Sequence, residues 1–467
     1  MTCSAENPTV VLSFTRAIGQ RKFKITNTFK KEDEKMDRLN DRNIGTGQSR
    51  SFCLTLGALV IFSACLFIGS LGADVAAAAE TGPIKVGLVA PLTGMAAQPG
   101  ADMELGVKMA IEEMNRTVAG RKIELIVEDD TNTPANTVTK VRKLITHDKV
   151  AIILGTFSGA CSYAAAPVTE EARVPYINTN SAADDLTQRK RSKNMIRVCY
   201  TSCQIGHVAG HYAYHKLGWR KVPIIGWEHS FGQEVLGSFQ RVFEDAGGKV
   251  IQKTYTPLNT IDFGPYVAQM KRDGDGLFQV VTAGASIRFL RALKAGGIMD
   301  KYKILATLTA TDPAFLPELK DTALGVLSID GYAETLTNPA NVKFRERVRK
   351  LANREANSTI LYAYDGMKVA AKAIEMVKGE TSNYDKFLNA IYAVEITDSP
   401  RGKVKVDKYG QVVQDFFIRR VDKVKDQYQN TVIETYPMVS QFWTYDPETF
   451  LKQPVYSRDN PSCKYCQ

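Results

Sequence analysis

Residues Val150 to Thr187 read VAIILGTFSGACSYAAAPVTEEARVPYINTNSAADDLT, and their parsing decides the fold. The apolar run Val150-Ala-Ile-Ile-Leu154, closed by Gly155, reads as a buried parallel strand. Thr156-Phe-Ser-Gly159 then turns the chain into a helix over about Ala160 to Ala172. Arg173-Val-Pro175 ends that helix, because the residue before a proline avoids the helical region. Tyr176-Ile177 opens a second strand, and Asn178 to Ala182 is a polar loop at its carboxyl end. Ligands of open parallel sheets bind outside the carboxyl ends of the strands. Two polar loops lie there side by side, and one enters a helix N-terminus, where free N–H groups and the dipole favour an anion. Ser158 and the N–H groups of Gly159 to Cys161 are thus a candidate seat for a small carboxylate. Ser162, further along the helix, is expected to matter little.

The same alternation runs outward in both directions, the mark of doubly wound α/β sheets. Upstream, strands are expected at Ile84–Ala90 and Ile123–Val127, with helices at Met103–Met114 and Asn136–Thr146. Downstream, helices are expected over Ile205–Leu217, Phe231–Ala246, Phe263–Arg272 and Ile287–Ala295. Strands are expected at Val222–Gly226, Lys249–Tyr255, Leu277–Thr282 and Lys303–Thr307, the last regular strand of its block. Arg345–Arg354 and Ala363–Lys378 read as helices of the first lobe. The expected architecture is two Rossmann-like lobes joined by three crossings: near Arg197–Gly206, Gly331–Glu334 and Glu395–Gly402. Lobe one takes 83–203 and 332–396, lobe two 204–331 and 397–425; 426–467 is a less regular C-terminal extension.

Composition narrows the function. At 467 residues the chain exceeds one ordinary core. Of its net charge of +10, +4 lies in residues 1–50 (ten Lys/Arg against six Asp/Glu), and the rest is scattered without interleaved aromatics, which argues against nucleic acid. From Met36, the suspected true start, the chain reads as a secretory signal: Arg38, Arg42 and Arg50, then apolar Phe52–Leu71, then small-residue cleavage sites before Glu80. Residues 1–79 are thus an N-terminal extension plus signal, a retained anchor being the alternative. Enzyme signatures are missing: no GxxxxGK[ST], GxSxG or HExxH, and no GxGxxG after the first strand. No catalytic residue, cofactor or metal is expected. His207, His211 and His215 recur every four residues on one helix face and are weighed as metal ligands against a plain solvated face. Glu128-Asp129-Asp130 is weighed in the same way and reads as a solvated loop. Export would leave five of the eight cysteines: Cys161, Cys199, Cys203, Cys463 and Cys466, with pairing open and a disulfide or free thiols at Cys463-x-x-Cys466.

Ile84-Lys-Val-Gly-Leu-Val-Ala-Pro-Leu-Thr-Gly94, the opening stretch, and Tyr362-Ala-Tyr-Asp-Gly366, in that order, resemble the periplasmic solute-binding proteins of ABC transporters, in particular the leucine/isoleucine/valine type. The resemblance spans roughly residues 83 to 425 and implies the type I periplasmic-binding fold, a periplasmic location, and delivery of a small ligand to inner-membrane ABC permease subunits. A tethered sensory domain of the same fold is the alternative. Carried over residue by residue, the resemblance implies a ligand carboxylate at Phe157-Ser158-Gly159, met by Asn180-Ser181-Ala182 and lined by Gln98. Across the cleft it implies Trp227 and Phe231 as an aromatic wall, with Thr282, Ala283 and Thr309. Amino-acid-binding members supply a lobe-two carboxylate for the ligand ammonium, but Ala306-Thr-Leu-Thr-Ala-Thr311 holds no acid. Burying an ammonium without a counter-charge is costly. Either Glu228 or Asp312 replaces it, or the ligand is an amine-free acid, aromatic to match Trp227 and Phe231.

Overall fold

The structure is a computed structural model that describes residues 81–466. The signal-peptide reading, with Cys3, Cys53 and Cys65, lies outside the described residues. No helix among them is long and apolar enough to cross a membrane.

The first sheet has six strands: β1 (Ile84–Ala90), β2 (Thr117–Val118), β3 (Arg121–Asp129), β4 (Ile152–Gly155), β5 (Tyr176–Asn178) and β6 (Met195–Arg197), in the order β2-β3-β1-β4-β5-β6. All pairs are parallel except the β2–β3 hairpin. Helices α1 (Ala97–Glu113), α2 (Pro134–Lys143) and α3 (Gly159–Glu171) connect them. β4 is buried along its whole length, which is why it reads as a continuous apolar run rather than an alternation.

The chain then passes through α4 (Ser202–His215) into a nine-stranded sheet. β7 (Lys221–Trp227), α5 (Ser230–Asp245), β8 (Lys249–Thr256), β9 (Gly276–Val280), α6 (Ala285–Ala295), β10 (Lys303–Thr307) and β11 (Leu327–Asp330) build its parallel part. The chain returns to the first core with α7 (Pro339–Ala352), α8 (Ser358–Met376) and α9 (Tyr384–Ala393). The hairpin β12 (Glu395–Ser399) and β13 (Gly402–Val406) leads to the long antiparallel pair β14 (Val412–Val424) and β15 (Gln427–Val439). Ile396, Val404 and Val412 belong to the first core, Phe416 and Ile418 to the second, so the third crossing runs along β14 and not at Glu395–Gly402.

Three other expectations fail. A strand, β11, follows Lys303–Thr307. The helix expected over Phe263–Arg272 shrinks to Gly264–Ala268, with proline at its second residue. The C-terminal stretch is regular through Val439, because β15 pairs with β14 along nearly its full length.

Buried arginines hold the crossings. Arg197 donates to Gln411 Oε1 (2.5 Å) and to the carbonyls of Ser181 (3.1 Å) and Ala183 (2.6 Å). Arg401 pairs with Asp365 at 2.9 Å and donates to Val198 O at 2.7 Å. Arg419 pairs with Asp330 at 3.0 Å and donates to Tyr332 O and Leu308 O. Each guanidinium stitches backbone from separate chain segments, and removing one partner of such a buried pair leaves a costly uncompensated charge.

Candidate functional site

The first face of the cleft is made by the loops after β1, β4 and β5. Ser158 is extended (φ −95°, ψ 155°) and caps α3, its Oγ accepting from Cys161 N at 3.4 Å. The cap uses one of the first-turn N–H groups, and the hydroxyl proton remains available to a ligand oxygen. Phe157, Ser158 and Gly159 are half-buried. A Cβ at Gly159 would stand 2.9 Å from Ala183 Cβ and 3.8 Å from Ser230 Oγ, so this turn faces the start of α5 across the cleft. In the neighbouring loop Asn178 Oδ1 accepts from Asn180 N (3.2 Å) and Ser181 N (2.9 Å). Ser181 Oγ is buried without a hydrogen-bond partner, a polar group whose desolvation nothing yet offsets. Ala182 O accepts from Ser202 N at 3.0 Å, tying this loop to α4. Gln98, exposed, donates to Asp102 Oδ1 at 2.8 Å.

Ser162 corrects the sequence reading. It is fully buried, 2.7 Å from Thr156 Oγ1 and 3.1 Å from Tyr176 Oη, and accepts from Asn178 Nδ2 at 3.3 Å. It links the loops after β4 and β5 from below.

The second face comes from the loops after β7, β9 and β10. Trp227 is turned into the lobe-two core against Phe263 (6.2 Å), its indole N–H on Thr282 Oγ1 at 3.3 Å. It therefore supports the wall more than it lines it. Phe231 is half-buried and stacks on His229, whose Nδ1 accepts from Phe231 N at 3.2 Å. Burial lowers the His229 pKa to about 4, so the ring is neutral at physiological pH. Ala283 has φ +56° and donates its N–H to Thr309 Oγ1 at 3.1 Å. Trp227, Thr282, Ala283 and Thr309 thus form one linked patch. Ser230, the residue opposite Gly159, carries no distinguishing sequence signal, since a serine at a helix start reads as an ordinary cap.

The acids are committed elsewhere. Glu228 pairs with Arg458 of the C-terminal segment. Asp312 is buried; Asn357 Nδ2 donates to its Oδ2 at 3.2 Å and to Asp102 Oδ2 at 2.8 Å, bridging the lobes. Burial raises Asp312 to about 6, with Asp102 adding repulsion. Burial also raises Asp102, against the pull of its partner Arg354.

The other sequence candidates have structural partners. His207 is buried among Tyr445, Phe450 and Tyr456, and His211 accepts from or donates to Tyr436 Oη at 3.0 Å. Glu128 pairs with Lys140 and Lys143, Asp129 accepts from Leu92 N and Thr131 N, and Asp130 accepts from Asn132 N and Thr137 Oγ1. Among the described residues no group of three His, Cys, Asp or Glu is placed to hold a metal ion. Cys463 and Cys466 form a disulfide, while Cys161, Cys199 and Cys203 are free and buried.

A sequence model of the periplasmic binding protein family matches residues 83–427. The Leu/Ile/Val-binding protein homolog 6 of Brucella melitensis is 29% identical over 391 residues, 82% of this chain and 96% of the relative. Two solved structures superpose with a TM-score of 0.73 at 29% identity, each covering 77% of this chain and 98% of the other. One is a solute binding protein of an ABC transporter from Rhodopseudomonas palustris BisB5 in complex with 3,4-dihydroxy benzoic acid. The other, from Rhodopseudomonas palustris HaA2, is in complex with p-hydroxybenzoic acid.

Proposed function

The chain belongs to the periplasmic binding protein family and is an ABC transporter substrate-binding protein, and from that premise we propose that its substrate is a small aromatic carboxylic acid, closed between the lobes and handed to permease subunits of the inner membrane. In this reading an N-terminal signal exports the protein to the periplasm. The ligand carboxylate sits at Ser158 and the N–H groups of Gly159, with Asn180, Ser181 and Ala182 beside it. The ring meets Phe231, backed by Trp227 and the Thr282–Ala283–Thr309 patch, and Gln98 stands at the rim.

One observation carries the choice of an acid without an amine. The two lobe-two carboxylates weighed above as a counter-charge are both engaged, Glu228 by Arg458 and Asp312 by Asn357. Glu228 already has a cation beside it, and Asp312 is buried in a hydrogen bond that spans the lobes. The hydroxybenzoate complexes of the two solved relatives support the same class. The branched-chain amino acid reading, implied by the sequence resemblance and matched by the name of the Brucella relative, is the other arm of the test. A thermal-shift screen of benzoates and branched-chain amino acids decides between them. A ligand at a hundred times its Kd adds about 2.7 kcal/mol of stability. The benzoates are expected to raise Tm and leucine to leave it unchanged; the reverse would overturn the reading.

Ligand work is a population shift: contacts made only with the lobes together favour the closed form.

A further inference from the structure

The family match ends at residue 427, and the chain continues through β15 to Gln467. Residues 440–463 leave the second sheet, cross to a loop of the first lobe, and return. The segment starts on lobe two, where Val439 O accepts from Gln204 Nε2 of α4 at 2.8 Å. At its outward pass, fully buried Gln441 accepts from Thr187 Oγ1 at 2.9 Å and donates to Asp407 Oδ2 at 3.1 Å. Arg189, from the same β5–β6 loop as Thr187, donates to Gln453 O at 3.0 Å and Phe450 O at 3.1 Å, and its guanidinium lies over the Phe450 ring. Between these two contacts Tyr445 donates to Asp245 of α5 at 2.8 Å. After Gln453 the segment comes back to lobe two, where Gln240 Nε2 of α5 donates to Ser462 O at 2.9 Å and Lys253 of β8 donates to Pro461 O at 3.0 Å. Phe442 and Phe450 pack with Cys203 of α4 in a small apolar cluster.

We propose that residues 440–463 are a strap that holds the two lobes together and sets how readily the cleft opens. Both ends of the strap are fixed to the second sheet and Tyr445 to α5, while Gln441 and, further on, Phe450 and Gln453 meet the 187–189 loop of the first lobe. A rotation that separates that loop from α5 must break the Arg189 and Thr187 bonds to the strap. Backbone carbonyls accept from Arg189, so the tie depends on the path of the strap rather than on one side chain of it. A charge-assisted bond of this kind is stronger than a neutral one. Beneath the strap the lobes also touch directly, Asp184 N donating to Glu234 Oε2 at 3.3 Å. The inference rests on the two-lobed fold and not on the identity of the ligand.

The test needs no ligand. Small-angle scattering of the ligand-free protein is compared for wild type, Arg189→Ala and Gln441→Leu, with near-ultraviolet circular dichroism as the folding control. Both variants are expected to increase the radius of gyration while the dichroism stays native. Asp185→Asn is the counter-control: it removes the 2.9 Å Arg189–Asp185 pair within lobe one but leaves the strap bonds, and should not change the radius. Amide exchange of residues 184–189 should rise severalfold in Arg189→Ala and Gln441→Leu. If a natively folded variant keeps the wild-type radius and exchange, the strap does not restrain the lobes. Should one variant fail to fold, the other still decides the question. Expansion in Asp185→Asn equal to that in Arg189→Ala would likewise overturn the strap, because the cause would then lie within lobe one.

Discussion

Lobe one meets the cleft with a helix start and two polar loops, Phe157-Ser158-Gly159 and Asn180-Ser181-Ala182; lobe two meets it with Phe231, its backing Trp227, and a patch of hydroxyls and small residues. On the first face the polar groups are arranged by a network beneath them, Ser162, Tyr176 and Asn178. On the second face the charged groups are turned aside, Glu228 to the C-terminal segment and Asp312 to Asn357. Under the proposed function this is a division of labour: lobe one holds the anion, and lobe two receives an uncharged body. On that proposal a ligand with both a carboxylate and an ammonium suits the first face and not the second.

Gly159→Val attacks the first face hardest. Its Cβ alone would meet Ala183 at 2.9 Å, and the added methyls close the approach to the N–H groups. Binding is expected to fall beyond the range of calorimetry, more than about a hundredfold in Kd, or about 2.7 kcal/mol. A variant that binds as wild type would remove the anion seat from this turn.

Asp312→Asn probes the second face through pH. Burial raises the folded pKa to about 6, from the ordinary carboxyl value of 3.8. Between those values the folded protein holds more protons than the unfolded chain, so stability falls as pH rises from about 4 through 6 and then levels. The cost at neutral pH is about 3 kcal/mol. Asparagine keeps the shape and abolishes the ionisation, so urea melts at pH 4 and pH 7 should show a smaller drop in the variant. An unchanged drop would assign the pH dependence to other groups.

Ser158→Ala is milder and has two parts. Losing one hydrogen bond to a charged oxygen should weaken binding by roughly 1.5–3 kcal/mol, about ten- to a hundredfold in Kd. Losing the cap of α3 should lower stability by about 1 kcal/mol. Calorimetry reads the first and urea melts the second. Ser162→Ala is no neutral control, since it opens the buried network that joins the two loops.

What was legible follows from how each element is buried. β1 lies at Ile84–Ala90 as its apolar run predicts, and α3 starts one residue from its expected place. Central parallel strands and capped helices carry their own signals. β14 does not, because Val412 packs in one core and Phe416 in the other, so no single face keeps an apolar period. β15 is half-exposed along most of its length and reads as irregular. In the site, chain order revealed which loops meet, but not side-chain direction. Trp227 and Phe231 look alike as aromatic wall residues, yet the first is buried in the core and the second is half-exposed. The partner of Glu228 lies 230 residues away in the C-terminal segment, beyond any local pattern.

The most direct measurement of the central claim is isothermal titration of the purified protein with p-hydroxybenzoate and, separately, with leucine. Saturable one-to-one binding of the benzoate is expected, with no detectable heat of binding from leucine. Tight binding of leucine without binding of the benzoate would contradict it, because lobe two would then supply the counter-charge that Glu228 and Asp312 are held from giving.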